Sequence, residues 1–263
     1  MTSKVSVIVP CYHTTPTHLS QCCGSLAVQT FQKWEALFIV DGVFQCDPII
    51  SFLDSRLDSR IKIIPTARKT NPASARNRGI QRSTGGYIAF LDSDDWFVPD
   101  KLTRQANYLD SHPDMDWCWH KMMYVPVSGG INLVDYPFGG NDKERYGACH
   151  SIMVRRSCID KIEKEYGYIF NESMDRLDDS DFVLRLNKYP SGCVPEYLAY
   201  FRETPGGLSD STSHIRSQRI LLNTFIRNGS WSLVPGMAKE LSISVINELT
   251  GIDWVKWKKE VFG

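Results

Sequence analysis

The chain up to Leu109 alternates between two patterns of hydrophobic positions. Short runs of β-branched and aromatic residues predict buried strands, while apolar residues three or four positions apart, such as Leu19, Cys22 and Leu26, predict helices. The predicted strands are Val5–Val9, Trp34–Val40, Ile61–Ile64 and Tyr87–Leu91, and the predicted helices start near Thr17, Pro48, Pro72 and Leu102. Strands that alternate with helices are typical of βαβ units. The pattern therefore predicts an α/β fold with a Rossmann-like, mainly parallel central sheet and flanking helices.

After Leu109 the alternation is less regular. The predicted elements are strands at Trp117–Val125, His150–Arg155 and Val194–Arg202, a loop or hairpin at Val127–Gly140, and helices at Cys158–Tyr166 and Asp178–Asn187. From His214 onward only helical spacing is found. We therefore expect an α/β half at residues 1–112, a second half of the same domain at residues 113–212, and a C-terminal helical appendage at residues 213–263.

The composition is that of an ordinary globular protein, with 263 residues of which 42% are hydrophobic and 23% are charged. The 30 basic and 30 acidic residues give a formal net charge of zero. This balance argues against a nucleic-acid partner, because proteins that bind nucleic acid usually carry excess basic charge.

Several features bear on where the protein works. No apolar run reaches transmembrane length, the first residues lack the apolar core of a secretion signal, and the 8 cysteines show no paired spacing. We therefore expect a cytoplasmic protein with reduced thiols. The segment Trp254–Lys259 combines tryptophan with lysine, which leaves open a peripheral contact with anionic membrane lipid. The alternative is that these tryptophans pack inward.

A cluster of acids, Asp92-Ser93-Asp94-Asp95, directly follows the predicted strand Tyr87–Leu91. Ligands of α/β sheets bind at the carboxyl ends of the strands, and Tyr12 and Asp41 follow two other predicted strands. An Asp-x-Asp pattern offers hard oxygen ligands for Mg²⁺ or Mn²⁺ and, through the metal, for a diphosphate. The alternative is a turn that caps the following helix.

Five segments resemble those of family 2 glycosyltransferases with the GT-A fold, in the family's order and spacing. They are Val5–Tyr12, Gln29–Glu35, Ile39–Gly42, Ala75–Gly79 and Tyr87–Asp95. Further along, Asp178–Arg185 resembles the acidic pair and helix that carry the family's catalytic base. The resemblance extends to about residue 210 and does not include the helical appendage.

The resemblance implies an inverting, metal-dependent glycosyltransferase. Such an enzyme moves a hexose or N-acetylhexosamine from a nucleotide-diphosphate donor, usually a UDP-sugar, to a hydroxyl of a glycan or lipid-linked acceptor. It would need Mn²⁺ or Mg²⁺. On this interpretation residues 1–112 bind the nucleotide-sugar, while residues 113–212 bind the acceptor and supply the catalytic base.

The matched positions imply roles for individual residues. Asp94 matches the metal-binding acid and Asp179 matches the catalytic base, with Asp178 as its rival. A carboxylate in this role needs a raised pKa, which partial burial beside other acids would supply. The positions that match donor contacts are Asp92 and Ser93 beside the ribose and diphosphate, Asp41 at the nucleobase, Pro10, Cys11 and Tyr12 in the loop that lines the base, and Arg76 near the base and phosphates.

The chain departs from the family pattern in three places. His13 replaces the usual asparagine, Val40 replaces the first acid of an Asp-Asp-Gly-Ser run, and Glu203 stands where many members have a histidine. These changes leave open a second hypothesis, a non-catalytic protein of the same fold that binds a sugar nucleotide or a glycan.

Overall fold

The computed structural model describes residues 3–12, 14–40, 58–67, 71–135, 137, 139–141, 144–146, 149–174, 176–204 and 220–224. The predicted helix at Pro48–Leu57 and most of the predicted appendage lie outside these residues. Of the described segments, none forms a helix that is both long enough and apolar enough to cross a membrane.

Strands and helices follow one another in the predicted order up to residue 111. The strands are β1 (Val5–Cys11), β2 (Trp34–Val40), β3 (Ile61–Pro65), β4 (Tyr87–Phe90), β5 (Trp96–Phe97), β6 (Trp117–Val125), β7 (Asn132–Val134), β8 (Gly139–Asn141), β9 (Glu144–Tyr146), β10 (Ile152–Arg155) and β11 (Ser191–Arg202). The helices are α1 (Pro16–Ala27), α2 (Pro72–Arg82), α3 (Lys101–Ser111), α4 (Arg156–Tyr166) and α5 (Asp178–Leu186), and a 3₁₀ turn spans Cys149–Ser151.

One large sheet carries the fold, with described strands in the order β3-β2-β1-β4-β10-β6-β11-β5 and β7 paired to β6. The prediction of parallel pairing is confirmed for β3, β2, β1 and β4. The second half is mixed, because β10 runs antiparallel to both of its neighbours and β11 runs parallel to β6 but antiparallel to β5.

The reversed direction of β10 matters for function. Met153 of β10 pairs with Ala89 of β4, so the amino end of β10 lies beside the carboxyl end of β4. The 3₁₀ turn that precedes β10 is thereby placed at the same edge of the sheet as the acids that follow β4. The parallel pair β6–β11 brings the carboxyl end of β11 to this edge as well.

Helices cover both faces of the sheet. Strand β1 shows the alternation that makes this possible, since Val5, Val7 and Val9 face one buried cluster and Ile8 faces the other. The first cluster includes apolar residues of α1 and α3, and the second includes those of α2, α4 and α5. Burying a Val or Leu side chain contributes about 1.5–3 kcal/mol, so the two clusters hold the sheet edge firmly in place.

One buried charge opposes this stability. The side chain of Lys101, at the start of α3, is fully buried, and within the described residues its Nζ has no hydrogen-bond partner. Nζ lies 4.1 Å from the centroid of the Phe97 ring. Burial lowers the pKa of Lys101 to about 7, because an ammonium group loses its hydration in apolar surroundings.

We predict that Lys101→Met, which nearly conserves volume, raises the free energy of unfolding at pH 7 by roughly 2–4 kcal/mol. Between pH 7 and about pH 10.4 the unfolded wild-type chain holds a proton that the folded chain has lost. The wild type therefore gains stability as the pH rises, and the difference between the two proteins shrinks. Urea unfolding at pH 7 and pH 10 measures this, with the exposed Lys33→Met as control. A variant less stable than wild type at both pH values would contradict the prediction.

Candidate active site

The acids after β4 form a tight turn in which the Asp95 N–H donates to the Asp92 carbonyl at 3.0 Å. The turn gives its side chains different environments. Asp92 and Asp94 are half-buried, whereas Ser93 and Asp95 are buried. The side chains at 92 and 94 are therefore the ones that remain partly open to solvent.

The end of β11 holds this turn in place. The backbone N–H of Arg202 donates to Asp95 Oδ1 at 2.8 Å, and Arg202 Nε donates to the carbonyl of Asp94 at 3.2 Å. Thr204 Oγ1 donates to Asp94 Oδ2 at 2.8 Å. Asp95 thus binds a distant strand and does not cap the helix that follows, where Asp100 is the cap residue without a side-chain bond.

Burial raises the pKa of Asp94, and the nearby negative charge of Asp92 adds to the shift. Burial also raises the pKa of Asp95 well above its ordinary value, again assisted by the neighbouring acids. Burial and mutual repulsion thus both disfavour the ionised form of Asp94 and Asp95, even though Arg76 and Arg202 lie at the turn. A divalent cation would favour the ionised form by adding positive charge.

Arg76, on α2, bridges the acidic turn and the start of α5. Its Nη2 donates to Asp92 Oδ1 at 2.9 Å and its Nη1 donates to Asp178 Oδ2 at 2.6 Å. Arg76 and Asp178 are both buried, so their ion pair is shielded from water, whereas the pair with the half-buried Asp92 is shielded on the arginine side only. Arg76 was predicted near the nucleotide. In the structure its two Nη atoms bond these carboxylates, and the contact with a nucleotide stays a prediction.

Helix α2 is fixed relative to α5 by side-chain amides. Asn71 caps α2 by accepting from the Ser74 N–H at 2.9 Å, as Asn commonly does at this position. Asn77 bonds both backbone groups of Phe170, donating to its carbonyl at 2.8 Å and accepting from its N–H at 2.9 Å. These contacts connect Arg76 rigidly to the segment that precedes α5.

The start of α5 is backbone-strained. Leu177 has φ 62° and, among the described residues, is the one non-glycine with positive φ. For an L-residue this left-handed conformation costs roughly 1–2 kcal/mol. Such strain is kept where the surroundings dictate the backbone, and it is found frequently at functional sites. It precedes the two candidate bases, Asp178 and Asp179.

The two acids differ in their partners. Asp178 is buried and paired with Arg76. Asp179 is half-buried, its Oδ1 accepts from the Ser180 N–H at 2.7 Å, and it has no salt bridge within the described part of the chain. Burial, together with the charge of Asp178, raises the pKa of Asp179 to about 6. Asp179 is therefore the better candidate for accepting a proton near neutral pH.

His150 is a site residue that the sequence did not indicate. It lies in the 3₁₀ turn, and its Nδ1 is 4.0 Å from Asp92 Oδ2. One ligand atom each of Asp92, Asp95 and His150 lie within 4.8 Å of one another. Burial lowers the pKa of His150 to about 4, so the imidazole is neutral at pH 7 and can offer a lone pair. His150 lies beside the acids because β10, which follows it, runs antiparallel to β4. The local sequence pattern does not reveal this pairing.

This donor set fits a divalent cation. An ion of the Mg²⁺ or Mn²⁺ class holds its oxygen ligands at about 2.1 Å, so neighbouring ligands are about 3 Å apart and opposite ones about 4.2 Å. The three ligand atoms, which lie within 4.8 Å of one another, are near enough to reach such an ion after a small inward shift. Carboxylates suit Mg²⁺ or Mn²⁺, and imidazole is a ligand that transition metals accept more readily than Mg²⁺ does. Asp94, the predicted ligand, is outside this group of three and is held by Thr204.

Of the remaining predicted donor contacts, Pro10, Cys11 and Tyr12 lie at the end of β1, and Ser93 belongs to the acidic turn. Ser93 Oγ is hydrogen-bonded to Thr14 Oγ1, which joins the turn to the residues after β1. Pro10 is half-buried and Tyr12 is 37% exposed, whereas the Cys11 side chain is buried in the core. Asp41, the predicted nucleobase contact, lies outside the described residues, and Val40 before it pairs with Cys11.

Comparisons with known proteins agree with this geometry. Residues 6–129 match the family described as Glycosyl transferase family 2. An uncharacterized glycosyltransferase of Methanocaldococcus jannaschii is 25% identical over 214 residues, which are 75% of this chain and 70% of that protein. An uncharacterized glycosyltransferase of Haemophilus influenzae is 36% identical over 107 residues. This match covers 40% of the present chain and 42% of that relative.

Solved glycosyltransferases share the fold. TarS of S. aureus, solved with UDP-GlcNAc, superposes on 85% of this chain and 66% of its own with a TM-score of 0.66 at 20% identity. The mannosyltransferase PcManGT of Pyrobaculum calidifontis, solved with GDP-Man and Mn²⁺, covers 86% of this chain and 64% of its own with a TM-score of 0.61 at 14% identity. The match over residues 6–129, the relatives and the shared GT-A fold all show similarity to the glycosyltransferases of family 2.

Proposed function

We propose that this glycosyltransferase transfers a sugar, with inversion, from a nucleoside-diphosphate donor of the UDP-sugar class to a hydroxyl of a glycan or lipid-linked acceptor. The observation that carries the proposal is the half-buried Asp179, whose raised pKa of about 6 suits a general base and which follows the Arg76-bound Asp178. The UDP-GlcNAc bound to TarS supports a UDP-sugar, and the GDP-Man bound to PcManGT supports the wider class of nucleoside-diphosphate sugars.

The residues have separate tasks in the reaction. The nucleotide lies along the end of β1, with Pro10, Tyr12 and Asp41 as the predicted contacts. Asp179 accepts the proton of the acceptor hydroxyl while the oxygen of that hydroxyl forms a bond to the anomeric carbon. The bond from that carbon to the diphosphate breaks on the opposite side, so the configuration inverts. General-base assistance of this kind is typically worth about 10²–10⁴-fold in rate.

A divalent cation is proposed at the acidic turn. When bound, it would neutralise charge on the departing diphosphate as a Lewis acid. We propose Asp94 as a ligand from the motif, and His150 with Asp92 from the spacing of their ligand atoms. The Mn²⁺ in the PcManGT structure supports a metal of this class.

The division of the chain follows from these tasks. We propose residues 1–112 as the donor-binding half, which contains the ends of β1 and β4. Residues 113–212 supply Asp179 and, we propose, most acceptor contacts. Residues 213–263 form a C-terminal region of which residues 220–224 are described and helical.

We predict that Asp179→Asn lowers kcat by about 10²–10⁴-fold, because the amide cannot accept the proton. Binding of UDP with Mn²⁺, measured by calorimetry, should remain close to wild type. Asp160→Asn, at an exposed position on α4, is the matched control and should leave both quantities unchanged. Near-full turnover by Asp179→Asn would remove Asp179 as the base, and a wild type without any transfer activity would favour the binding-only alternative.

The pH dependence of kcat should have an acid limb near pH 6. The base is active when deprotonated, so activity is present above pH 6 and is lost as the pH falls through the raised pKa of Asp179. Asp178→Asn removes the neighbouring negative charge and should move the limb to lower pH. The check is a kcat profile of both proteins between pH 4.5 and about pH 8. If Asp178→Asn instead abolishes turnover as completely as Asp179→Asn, Asp178 is the base.

Removing the metal should abolish transfer, and Mn²⁺ should restore it. We predict that Asp94→Ala and His150→Ala each weaken Mn²⁺ binding by about 10-fold or more, since each removes one ligand. The signal of free Mn²⁺ in electron paramagnetic resonance, recorded with UDP present, measures this without turnover. His112→Ala, away from the turn, serves as control. Unchanged Mn²⁺ affinity in either variant would exclude that residue as a ligand.

A further inference from the structure

The first turn of α5 lacks the usual means of fixing a helix start. Its cap residue, Leu177, offers no side-chain hydrogen bond and has a left-handed backbone. The first helical bond, from the Asp181 N–H to the Leu177 carbonyl at 2.9 Å, closes the turn that contains Asp178 and Asp179. Contacts from elsewhere in the chain must therefore hold this turn.

A buried carboxylate in the same turn depends on the C-terminal region. Asp181 Oδ2 accepts two bonds from Arg185, from Nε at 3.0 Å and Nη2 at 2.7 Å. Its other oxygen, Oδ1, accepts from Thr224 Oγ1 at 2.6 Å. All three residues are buried. If the Thr224 hydroxyl were removed, Asp181 Oδ1 would lose this donor and would still be shielded from water. The loss of a hydrogen bond is costly for a buried ionised group.

Apolar contacts reinforce this bond. Leu221 is 2% exposed and belongs to one buried cluster with Met174 and Leu184. Leu177 and Ile220 pack against the same cluster. The strained residue, Leu177, therefore packs against a cluster in which Met174 and Leu184 come from the chain around α5 and Leu221 comes from the C-terminal region.

We propose that residues 220–224, here called the C-terminal clasp, position the catalytic turn of α5, with Thr224 and Leu221 as its positioning residues. The inference rests on the proposed function, in which Asp179 is the base. Asp181 is two residues beyond Asp179 in the same turn. If Asp181 is no longer held in place, the carboxylate of Asp179 can move away from the position in which it accepts the proton of the acceptor hydroxyl. In the proposed function, donor affinity depends on the acidic turn and the end of β1, and the turn is held by Arg76, Arg202, Thr204 and Thr14.

Three variants test the clasp. Thr224→Val keeps the shape and removes the hydroxyl, and we expect kcat to fall about 10-fold while the Kd for UDP with Mn²⁺ stays unchanged. Thr224→Ser keeps the hydroxyl and should restore kcat to within about 2-fold of wild type. Thr84→Val is the matched control, because Thr84 Oγ1 also donates to a buried carboxylate, Glu35 Oε1 at 2.8 Å, near the amino end of β4. It should lower the Tm without changing kcat.

Hydrogen exchange of residues 178–186 provides a readout independent of turnover. Thr224→Val should exchange faster than wild type in this helix, and Thr84→Val should not. Unchanged exchange with unchanged kcat in Thr224→Val would overturn the proposal. So would a loss of kcat that Thr224→Ser does not rescue.

If Thr224→Val does not fold, Leu221→Val takes its place with the same readouts. This change removes a single methylene from the cluster. If the wild type transfers no sugar, the proposed function fails, while exchange in residues 178–186 still decides whether the clasp holds the turn.

Discussion

The guanidinium of Arg76 is the contact on which the site depends. It joins the turn after β4 to the start of α5 through a partly buried ion pair with Asp92 and a buried one with Asp178, which are 16 and 102 positions away in the chain. Breaking a buried pair leaves an uncompensated charge, which typically costs about 3–5 kcal/mol. The same contact separates two adjacent acids by role. Asp178 is committed to the arginine, and Asp179 is left to change its protonation state.

The three aspartates of the acidic turn show how identical side chains acquire different chemistry. Asp95 is bound by the backbone of β11, Asp92 by Arg76, and Asp94 by the hydroxyl of Thr204. Two of these partners, Arg202 and Thr204, come from the end of β11, and Arg76 comes from α2. The turn is consequently preorganised before any ligand arrives, which avoids a reorganisation cost when charge develops at the diphosphate.

The sequence was sufficient to predict those parts of the structure that local patterns encode. The parallel strands β1 to β4 could be predicted because buried β-branched runs alternate with helical spacing, and the acidic turn could be placed because it ends such a run. His150 could not be found, because the antiparallel pairing of β10 with β4 leaves no mark in the local pattern of either strand. The bond between Asp181 and Thr224 was equally hidden, since it joins residues 43 positions apart through side chains alone.

The hydrogen bond between Thr204 and Asp94 has a thermodynamic consequence. Asp94 Oδ2 accepts the Thr204 hydroxyl at 2.8 Å, and an oxygen that ligates a cation on the same lone pairs would give up this bond. If Asp94 Oδ2 ligates a cation as proposed, cation binding and attachment of the chain through Thr204 would compete for that oxygen. Such competition is reciprocal, so whatever draws Thr204 away from Asp94 strengthens cation binding by the same factor that the cation favours its release. Binding of a cation at the acidic turn and the conformation of the chain after Thr204 would thus be linked equilibria.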